Sequence, residues 1–397
     1  MTRYRKIVIV GGGFGGVKAA LRLTNKEGFW VRLISPKSYF EYHAALYRSA
    51  TGHSPLEVAI PLDELFARSN NVEVVEDAVV GMDAEKKTLA GKSGAHYEYD
   101  EVIFALGSVT NYFGIPGVDR FAYGMKSVQE ALELKTHLHE QLTNHDHDHT
   151  YVVIGGGASG IELAGELVGY EARIRRAHHV QNKFQVDLME AAPQLVASLG
   201  ERYSKKIRQR LGALGVHVMT DSCVVKETLD ELKLKHTSVH SHTVVWTAGQ
   251  TTHPFFAQYP EVFSFSKKGK VKVDMYMRAA KHIYVIGDCA DTQYSGMAQT
   301  AIHDANYVAD QLIRRYWDWD VTPYRPKRPV YVIPVGPKWA AVRWGNFEAY
   351  GYLGWLIRRL ADLRLFLMLL SISQAFAVWH YGVVREEACP ICRVDTH

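Results

Sequence analysis

Two segments of the chain repeat one pattern. A short run of β-branched apolar residues meets a cluster of glycines, and small and apolar residues then recur at helical spacing. The first segment is IVIVGGGFGGVKAALRL, residues 7–23; the second is YVVIGGGASGIELAGELV, residues 151–168. A continuous apolar run predicts a parallel strand buried on both faces, and the switch to a 3.6-residue period predicts the helix that follows. Further apolar runs end abruptly at a turn residue: Trp30–Ser35, Glu98–Gly107, Phe184–Glu190, Thr243–Gly249 and His282–Gly287. The polar, His-rich stretch 144–149 reads as a linker into the second unit. After Pro323 the pattern changes to proline-punctuated strands, then to a mostly helical stretch from Trp344 to Trp379. The expected fold is α/β: two Rossmann-like dinucleotide-binding domains and a C-terminal helical region that associates with a membrane.

The glycines stand as Gly11, Gly13, Gly16 and as Gly155, Gly157, Gly160, 144 residues apart. That period is far too long for a solenoid and suggests two nucleotide-binding folds. In Gly-x-Gly-x-x-Gly the first glycine permits the tight turn, the second lets backbone approach a pyrophosphate, and the third lets helix pack against strand. The helix N-terminus then offers free N–H groups and a positive dipole end to the phosphates. In the second unit Glu190 ends the next strand, where a carboxylate accepts hydrogen bonds from a ribose 2′-hydroxyl and repels a 2′-phosphate. No arginine follows it closely, which favours NADH over NADPH. The alternative is a solvated strand-end glutamate. The spacing to Glu190 is long, with Arg173–Lys183 reading as an insertion. In the first unit Ser35 stands where an acid is expected; it can still meet a ribose, and Lys37 a phosphate or adenine edge. A plain turn explains both equally well.

Composition narrows the class. The length of 397 residues suggests two to three domains, and 47 % hydrophobic with 22 % charged residues excludes disorder and a polytopic membrane protein. Four cysteines exclude a disulfide-stapled scaffold and point to a reducing compartment. A net charge of +4 is too small to argue for nucleic acid. The charge is uneven, however. Between Tyr324 and Arg364 eight basic residues face only Glu348 and Asp362, and six of the eight tryptophans lie from Trp317 onward. The apolar run before Gly11 is too short for a signal peptide. The stretch Leu365–Trp379, interrupted by Ser371, Ser373 and Gln374, falls short of the ~20 residues that span a bilayer. Trp355, Leu356, Leu360, Leu363 and Phe366 fall near helical spacing with Arg358, Arg359 and Arg364 interleaved, as in a basic amphipathic helix at a bilayer interface. A core or dimer helix is the competing reading.

With these motifs placed, the chain resembles the two-dinucleotide-binding-domain flavoproteins, and within them the type II NADH dehydrogenases, the non-proton-pumping NADH:quinone oxidoreductases. The resemblance rests on Gly-Gly-Gly-Phe-Gly-Gly (11–16), the stretch from Tyr99 through Ala105-Leu-Gly-Ser-Val-Thr-Asn-Tyr-Phe-Gly-Ile-Pro-Gly117, Ser159–Glu166, Val244–Gly249, Ile286–Ala290 and Ala298–Ala301. It covers roughly residues 5–380 and implies FAD in the first unit and NADH in the second, with electrons passing to a membrane quinone. By motif match Gly11, Gly13, Phe14, Gly16, Ser35, Lys37, Ala105, Gly107 and Asp288 would contact FAD, and Gly155, Gly157, Gly160, Glu190, Ala248 and Gly249 NADH. Asp288 at a strand end can accept from ribityl hydroxyls, or simply cap a helix. Glu162, four residues before Glu166, would serve NADH positioning or proton supply; two solvated glutamates are the alternative. The family's quinone segment Ala-Gln-x-Ala-x-Gln reads here Ala298-Gln299-Thr300-Ala301-Ile302-His303, so Gln299 matches and His303 replaces the second glutamine. An imidazole can also bond a quinone carbonyl, or be an ordinary helix residue. The segment Tyr39–Gly52 departs from the family's proline-containing form and is similar to the apoptosis-inducing-factor-like reductases. The implied domains are 1–112 and 251–323 for FAD, 113–250 for NADH, and 324–397 for membrane anchoring, on the cytoplasmic side of the cell membrane. The quinone and the membrane surface are the implied partners, and a homodimer is compatible.

The cysteines bound the alternatives. The first is Cys223, so the redox pair that disulfide reductases carry soon after the first glycine loop is missing. Cys289 is the sole body cysteine suited to sulfide chemistry, and one thiol cannot cycle as a disulfide. Cys389-Pro-Ile-Cys392 with His397 has ingredients of a zinc site, but a closed site needs four ligands, so no metal is assigned. His145, His147 and His149 read as a solvated loop. A same-fold enzyme linked to sulfide or another acceptor, or a redox-sensing flavoprotein, stays open.

Overall fold

The computed structural model describes residues 4–143, 150–181, 184–387 and Cys389. His145, His147, His149, Cys392 and His397 lie outside the described residues. The strands that carry the argument are β1 (Arg5–Val10), β2 (Phe29–Ser35), β3 (Glu101–Phe104), β4 (Thr150–Ile154), β5 (Gln185–Met189), β6 (Thr243–Trp246) and β7 (Ile283–Val285). The helices are α1 (Phe14–Leu23), α2 (Val128–Thr143), α3 (Ala158–Ala177), α4 (Ala298–Tyr316), α5 (Tyr352–Leu369) and α6 (Ile372–Tyr381). The chain divides into two compact units. One takes residues up to Glu41, Ala59–Val109 and Gln250–Pro329; the other takes Tyr42–Val58, Thr110–Gly249 and everything from Val330.

The first unit is built on a six-stranded sheet in the order Arg278–Ala280, β7, β3, β1, β2, Val72–Glu76. All neighbours are parallel except the outermost strand Arg278–Ala280. Ile7–Val10 and all of β3 are buried, as a parallel strand covered on both faces requires. Helices α1 and α4 pack on each other, and both bury small residues, Ala19 and Ala20 on one, Ala305 and Ala309 on the other. Four phenylalanines, Phe104, Phe255, Phe256 and Phe263, fill the core with neighbouring ring centroids 4.9–5.9 Å apart.

The second unit has a parallel four-stranded sheet in the order Val216–Met219, β5, β4, β6. The stretch read as an insertion after Arg173 is partly a continuation of α3, which runs unbroken for 20 residues to Ala177. Trp344 ends a strand rather than opening a helix: Tyr331–Pro334, Ala340–Trp344 and Phe347–Ala349 form an antiparallel sheet before α5 begins. The apolar stretch 365–379 is not one helix, because Leu370 and Ser371 are extended and separate α5 from α6.

Residues 42–58 and the C-terminal helices join this unit through a buried network of charge. Arg48 donates to Glu57 (2.5 Å) and to Asp362 (3.1 Å). Arg358 pairs with Asp362 at 2.9 Å and with Glu162 at 3.7 Å, and donates to the Ala44 carbonyl at 2.6 Å. Arg359 reaches Glu57 at 3.7 Å, donates to the Trp379 carbonyl, and lies 4.4 Å over the Trp379 ring. The Tyr42 hydroxyl donates to Asp362. Three guanidinium groups thus face three carboxylates, Glu57, Asp362 and Glu162, all buried. This corrects the reading of α5 as a helix with a basic outer face. Arg358 and Arg359 are only 7 % and 4 % exposed, because the five carboxylate and carbonyl partners named above repay their desolvation.

Removing one member of such a network strands the others without water. We expect Asp362→Asn to lower the unfolding free energy by about 3–5 kcal/mol in urea titrations. Lys86→Ala, which removes the exposed Lys86–Asp83 pair, should change it by less than about 1 kcal/mol.

Candidate functional site

In the first unit the glycine turn is shaped by backbone contact. Gly11 has φ +113°, and a Cβ there would fall on the Ala105 carbonyl. A Cβ on Gly16 would fall on the carbonyl oxygen of Gly11. The Gly11 N–H donates to the Ile34 carbonyl (2.8 Å), and the Ala105 N–H to the Val10 carbonyl (2.8 Å), tying the turn to the ends of β2 and β3. Gly13 caps α1 with no side-chain hydrogen bond, and a Cβ there would meet nothing within 4 Å. The N-terminal N–H groups of α1 therefore face an open, glycine-lined cradle, which fits a pyrophosphate. Phe14 packs edge-on against Phe40 at 5.0 Å. Ser35 is buried beneath Gly12, whose Cβ would lie 2.6 Å from the Ser35 hydroxyl. Lys37 is paired with Glu41 at 2.6 Å.

Gly107, with φ +67°, follows β3, and a Cβ there would meet nothing within 4 Å. Asp288 sits in the short turn Gly287–Cys289 after β7 and accepts from the Ser108 hydroxyl at 3.1 Å. The same turn is fixed from below by Asp304 of α4. Its buried carboxylate accepts from the Gly287 N–H (3.0 Å) and from the Tyr324 hydroxyl (2.6 Å), and burial pushes its pKa up to about 6. Sequence reading missed Asp304; its signal is an acid on the apolar face of a helix, between Ala301 and Val308. Gln299 is exposed on the first turn of α4. One turn on, His303 donates through Nε2 to the Arg325 carbonyl at 2.8 Å and lies against the Tyr324 ring.

The second unit repeats the cradle. Gly155 has φ +113°, a Cβ on Gly160 would fall on the Gly155 carbonyl oxygen, and Gly157 caps α3 facing open space. Glu190 follows β5 and accepts from the N–H groups of Gly156 (2.6 Å) and Ala192 (2.8 Å), so the carboxylate stands at the loop. Ala248 and Gly249 follow β6. Gly249 has φ +76°, and its carbonyl accepts from the Asn111 N–H.

Glu162 and Glu166 are neither solvated nor alike. Glu162 is buried, and desolvation pushes its pKa up to about 7 despite Arg358 and Arg48. Burial also acts to raise Glu166, but His53, whose Nε2 lies 3.6 Å from the carboxylate, and the nearby charges of Arg48 and Arg173 hold it below the usual carboxylate range. One carboxyl of the pair is thus poised to exchange a proton near neutrality while its neighbour stays ionised. The partners that set this difference, Arg48, His53 and Arg358, lie far away in the chain and carry no local motif.

Two parallel-sheet units, each with a glycine cradle at a helix N-terminus, define the class of dinucleotide-binding α/β oxidoreductases. A sequence model of the pyridine nucleotide-disulphide oxidoreductase family matches residues 5–305, and the chain belongs to that family. It is similar to the type II NADH:quinone oxidoreductase Ndh of Mycobacterium tuberculosis, 27 % identical over 384 residues and covering 89 % of this chain and 83 % of the relative. A type II NADH:quinone oxidoreductase of Staphylococcus aureus is 26 % identical, covering 78 % and 82 %. Among solved structures, NDH2 of Plasmodium falciparum in complex with NADH aligns with TM-score 0.85 at 17 % identity, over 96 % of this chain and 98 % of that one. The sulfide:quinone oxidoreductase of Aquifex aeolicus aligns with TM-score 0.78 at 18 % identity, over 95 % and 92 %. At these identities the structures speak for the fold.

The cradle separates two roles for glycine. Gly160→Ala should cost about 2–3 kcal/mol of stability in thermal or urea unfolding, because the backbone must shift. Gly157→Ala should stay within about 1 kcal/mol yet weaken dinucleotide binding in fluorescence titrations. Glu162 predicts a pH signature. Its proton is held more tightly in the folded chain, so it costs stability as pH rises from about 4.5 to about 7. Glu162→Gln should flatten that part of the pH–stability curve measured by urea unfolding; an unchanged slope contradicts the assignment.

Proposed function

We propose that this protein is a non-proton-pumping NADH:quinone oxidoreductase that carries FAD on its first unit and takes NADH on its second. The observation that carries this reading is the pair of open glycine cradles, one per unit, in a chain similar over most of its length to type II NADH:quinone oxidoreductases. When bound, FAD supplies the redox chemistry, taking hydride from NADH and passing two electrons to the quinone. The protein's part is binding, orientation and proton handling.

Gly11, Gly13 and Gly16 bring the N–H groups of α1 to the FAD pyrophosphate, and Ala105, Gly107 and Asp288 form the rim toward the ribityl chain. Ser35 and Lys37 are assigned to the adenosine end, Lys37 with its charge already shared with Glu41. Gly155, Gly157 and Gly160 hold NADH in the same way, with Ala248 and Gly249 lining its far side. Glu190, already fixed by two N–H groups, keeps an acceptor lone pair for the ribose 2′-hydroxyl and disfavours NADPH. Glu162 positions the nicotinamide side and holds an exchangeable proton. Gln299 donates to a quinone carbonyl. The Nε2–H of His303 is used by the Arg325 carbonyl, so this ring offers Nδ1–H to a quinone only as imidazolium, and can release that proton as the quinone is reduced.

Membrane contact is assigned to the outer face of α5 and α6, where Leu353, Leu356, Leu360, Leu367, Ile372 and Phe376 are exposed. Exposed apolar side chains of that kind suit burial among lipid headgroups. Among the described residues no helix is long and apolar enough to cross a membrane; the contact assigned here is peripheral, on the cytoplasmic side.

Steady-state oxidation of NADH and NADPH with menaquinone and ubiquinone analogues tests this reading. NADH should be preferred by ~10-fold or more in kcat/KM, the worth of one charge-assisted hydrogen bond, and quinone should outpace ferredoxin or sulfide. Leu356→Asp with Leu360→Asp should abolish co-sedimentation with lipid vesicles and leave turnover of a short-chain quinone intact. NADPH used as well as NADH, or a variant that still sediments with vesicles, contradicts the corresponding part.

A further inference from the structure

The chain after α6 is not a loose end. The Ser54 N–H donates to the Val384 carbonyl and the Glu386 N–H to the Gly52 carbonyl, both at 3.0 Å. Lys135 donates to the Glu386 carbonyl at 2.9 Å, and buried Arg173 to Glu387 at 2.8 Å. These bonds lead the tail across the ends of two helices and deliver Cys389 to His139, in the last turns of α2, and His178, which follows α3. One ligand atom from each of the three residues lies within 4.8 Å of the other two. The Cys389 sulfur is 3.4 Å from His178 Nε2, and the two imidazole rings stand 5.3 Å apart at 70°.

A thiol–imidazole hydrogen bond would account for Cys389 and His178 only. It leaves the Nδ1 of His139, which is buried without a hydrogen-bond partner among the described residues. Two imidazoles and a thiolate are the borderline-soft donor set that selects zinc over calcium or magnesium. With Zn–S near 2.3 Å and Zn–N near 2.0 Å, adjacent tetrahedral ligands stand ~3.5 Å apart, close to the sulfur–nitrogen separation seen here. The three residues come from three separate segments, so a cation between them would act as a clasp.

We propose that His139, His178 and Cys389 bind a zinc-class divalent cation that fastens the C-terminal tail to the second unit. This departs from the sequence reading, which sought the ligands within the tail, at Cys392 and His397, and assigned no metal. The body supplies the two histidines instead. Binding converts the Cys389 thiol to thiolate and releases its proton to solvent. The remaining tetrahedral position is filled by water.

The test uses full-length, tag-free protein, stripped with a chelator and then titrated with Zn²⁺ or Co²⁺ alone. One zinc per chain should survive gel filtration. Co²⁺ should give tetrahedral ligand-field bands with a thiolate-to-metal charge-transfer band. Cys389→Ser should remove the charge-transfer band. His139→Gln and His178→Gln should each weaken zinc binding by more than the roughly 10–100-fold typical of a second-shell change. Near-UV circular dichroism checks that each variant is folded, and zinc should slow carboxypeptidase digestion of the tail in wild type only. Stripped wild type that takes up no zinc, or folded Cys389→Ser and His139→Gln variants that bind it as tightly as wild type, overturns the proposal.

Discussion

In both units the helix that follows the first strand begins against the carbonyl oxygen of its own turn, with no room for a single added carbon at Gly16 or Gly160. Everything at the dinucleotide sites depends on that approach. It places the free N–H groups of α1 and α3 at the carboxyl ends of parallel sheets, where side chains after the other strands converge. Glu190 after β5 and Ala248 after β6 reach one cradle; Ala105 after β3 reaches the other. The chemistry needs few strongly reactive side chains, because orientation is supplied by backbone.

The second organising feature is electrostatic. Arg48, Arg358 and Arg359 bury their charge against Glu57, Asp362 and Glu162, and this joins residues 42–58, α3 and α5 in one unit. It leaves Leu353, Leu356 and Leu360 of α5 facing outward. The basic excess near the C-terminus is therefore partly internal, while leucines face solvent. The same network sets the environment of Glu162, so the group poised near neutrality is built from the contacts that hold α5 in place.

The strands and glycine turns were legible in the sequence because each is a local pattern: Ile7–Val10 before Gly11, Tyr151–Ile154 before Gly155. The position of Glu190 was legible because it comes directly after a strand. The environment of Glu162 was not, since its partners Arg48 and Arg358 lie more than a hundred residues away in each direction. Periodicity placed Arg358 and Arg359 on a helix but could not tell which face turns inward, because a buried arginine and an exposed leucine invert the usual rule. The Trp344 boundary was missed because a tryptophan suits a strand as well as a helix. The meeting of Cys389 with His139 and His178 is likewise a product of tertiary packing.

One chain couples reduced nicotinamide to a quinone through a bound flavin, and anaerobic stopped-flow absorbance follows that coupling at the flavin itself. Purified protein should be yellow, lose its visible flavin absorbance on mixing with NADH, and regain it on mixing with a menaquinone or ubiquinone analogue. A folded protein that is colourless and takes up no FAD, or one whose NADH-bleached absorbance does not return with any quinone, contradicts the account.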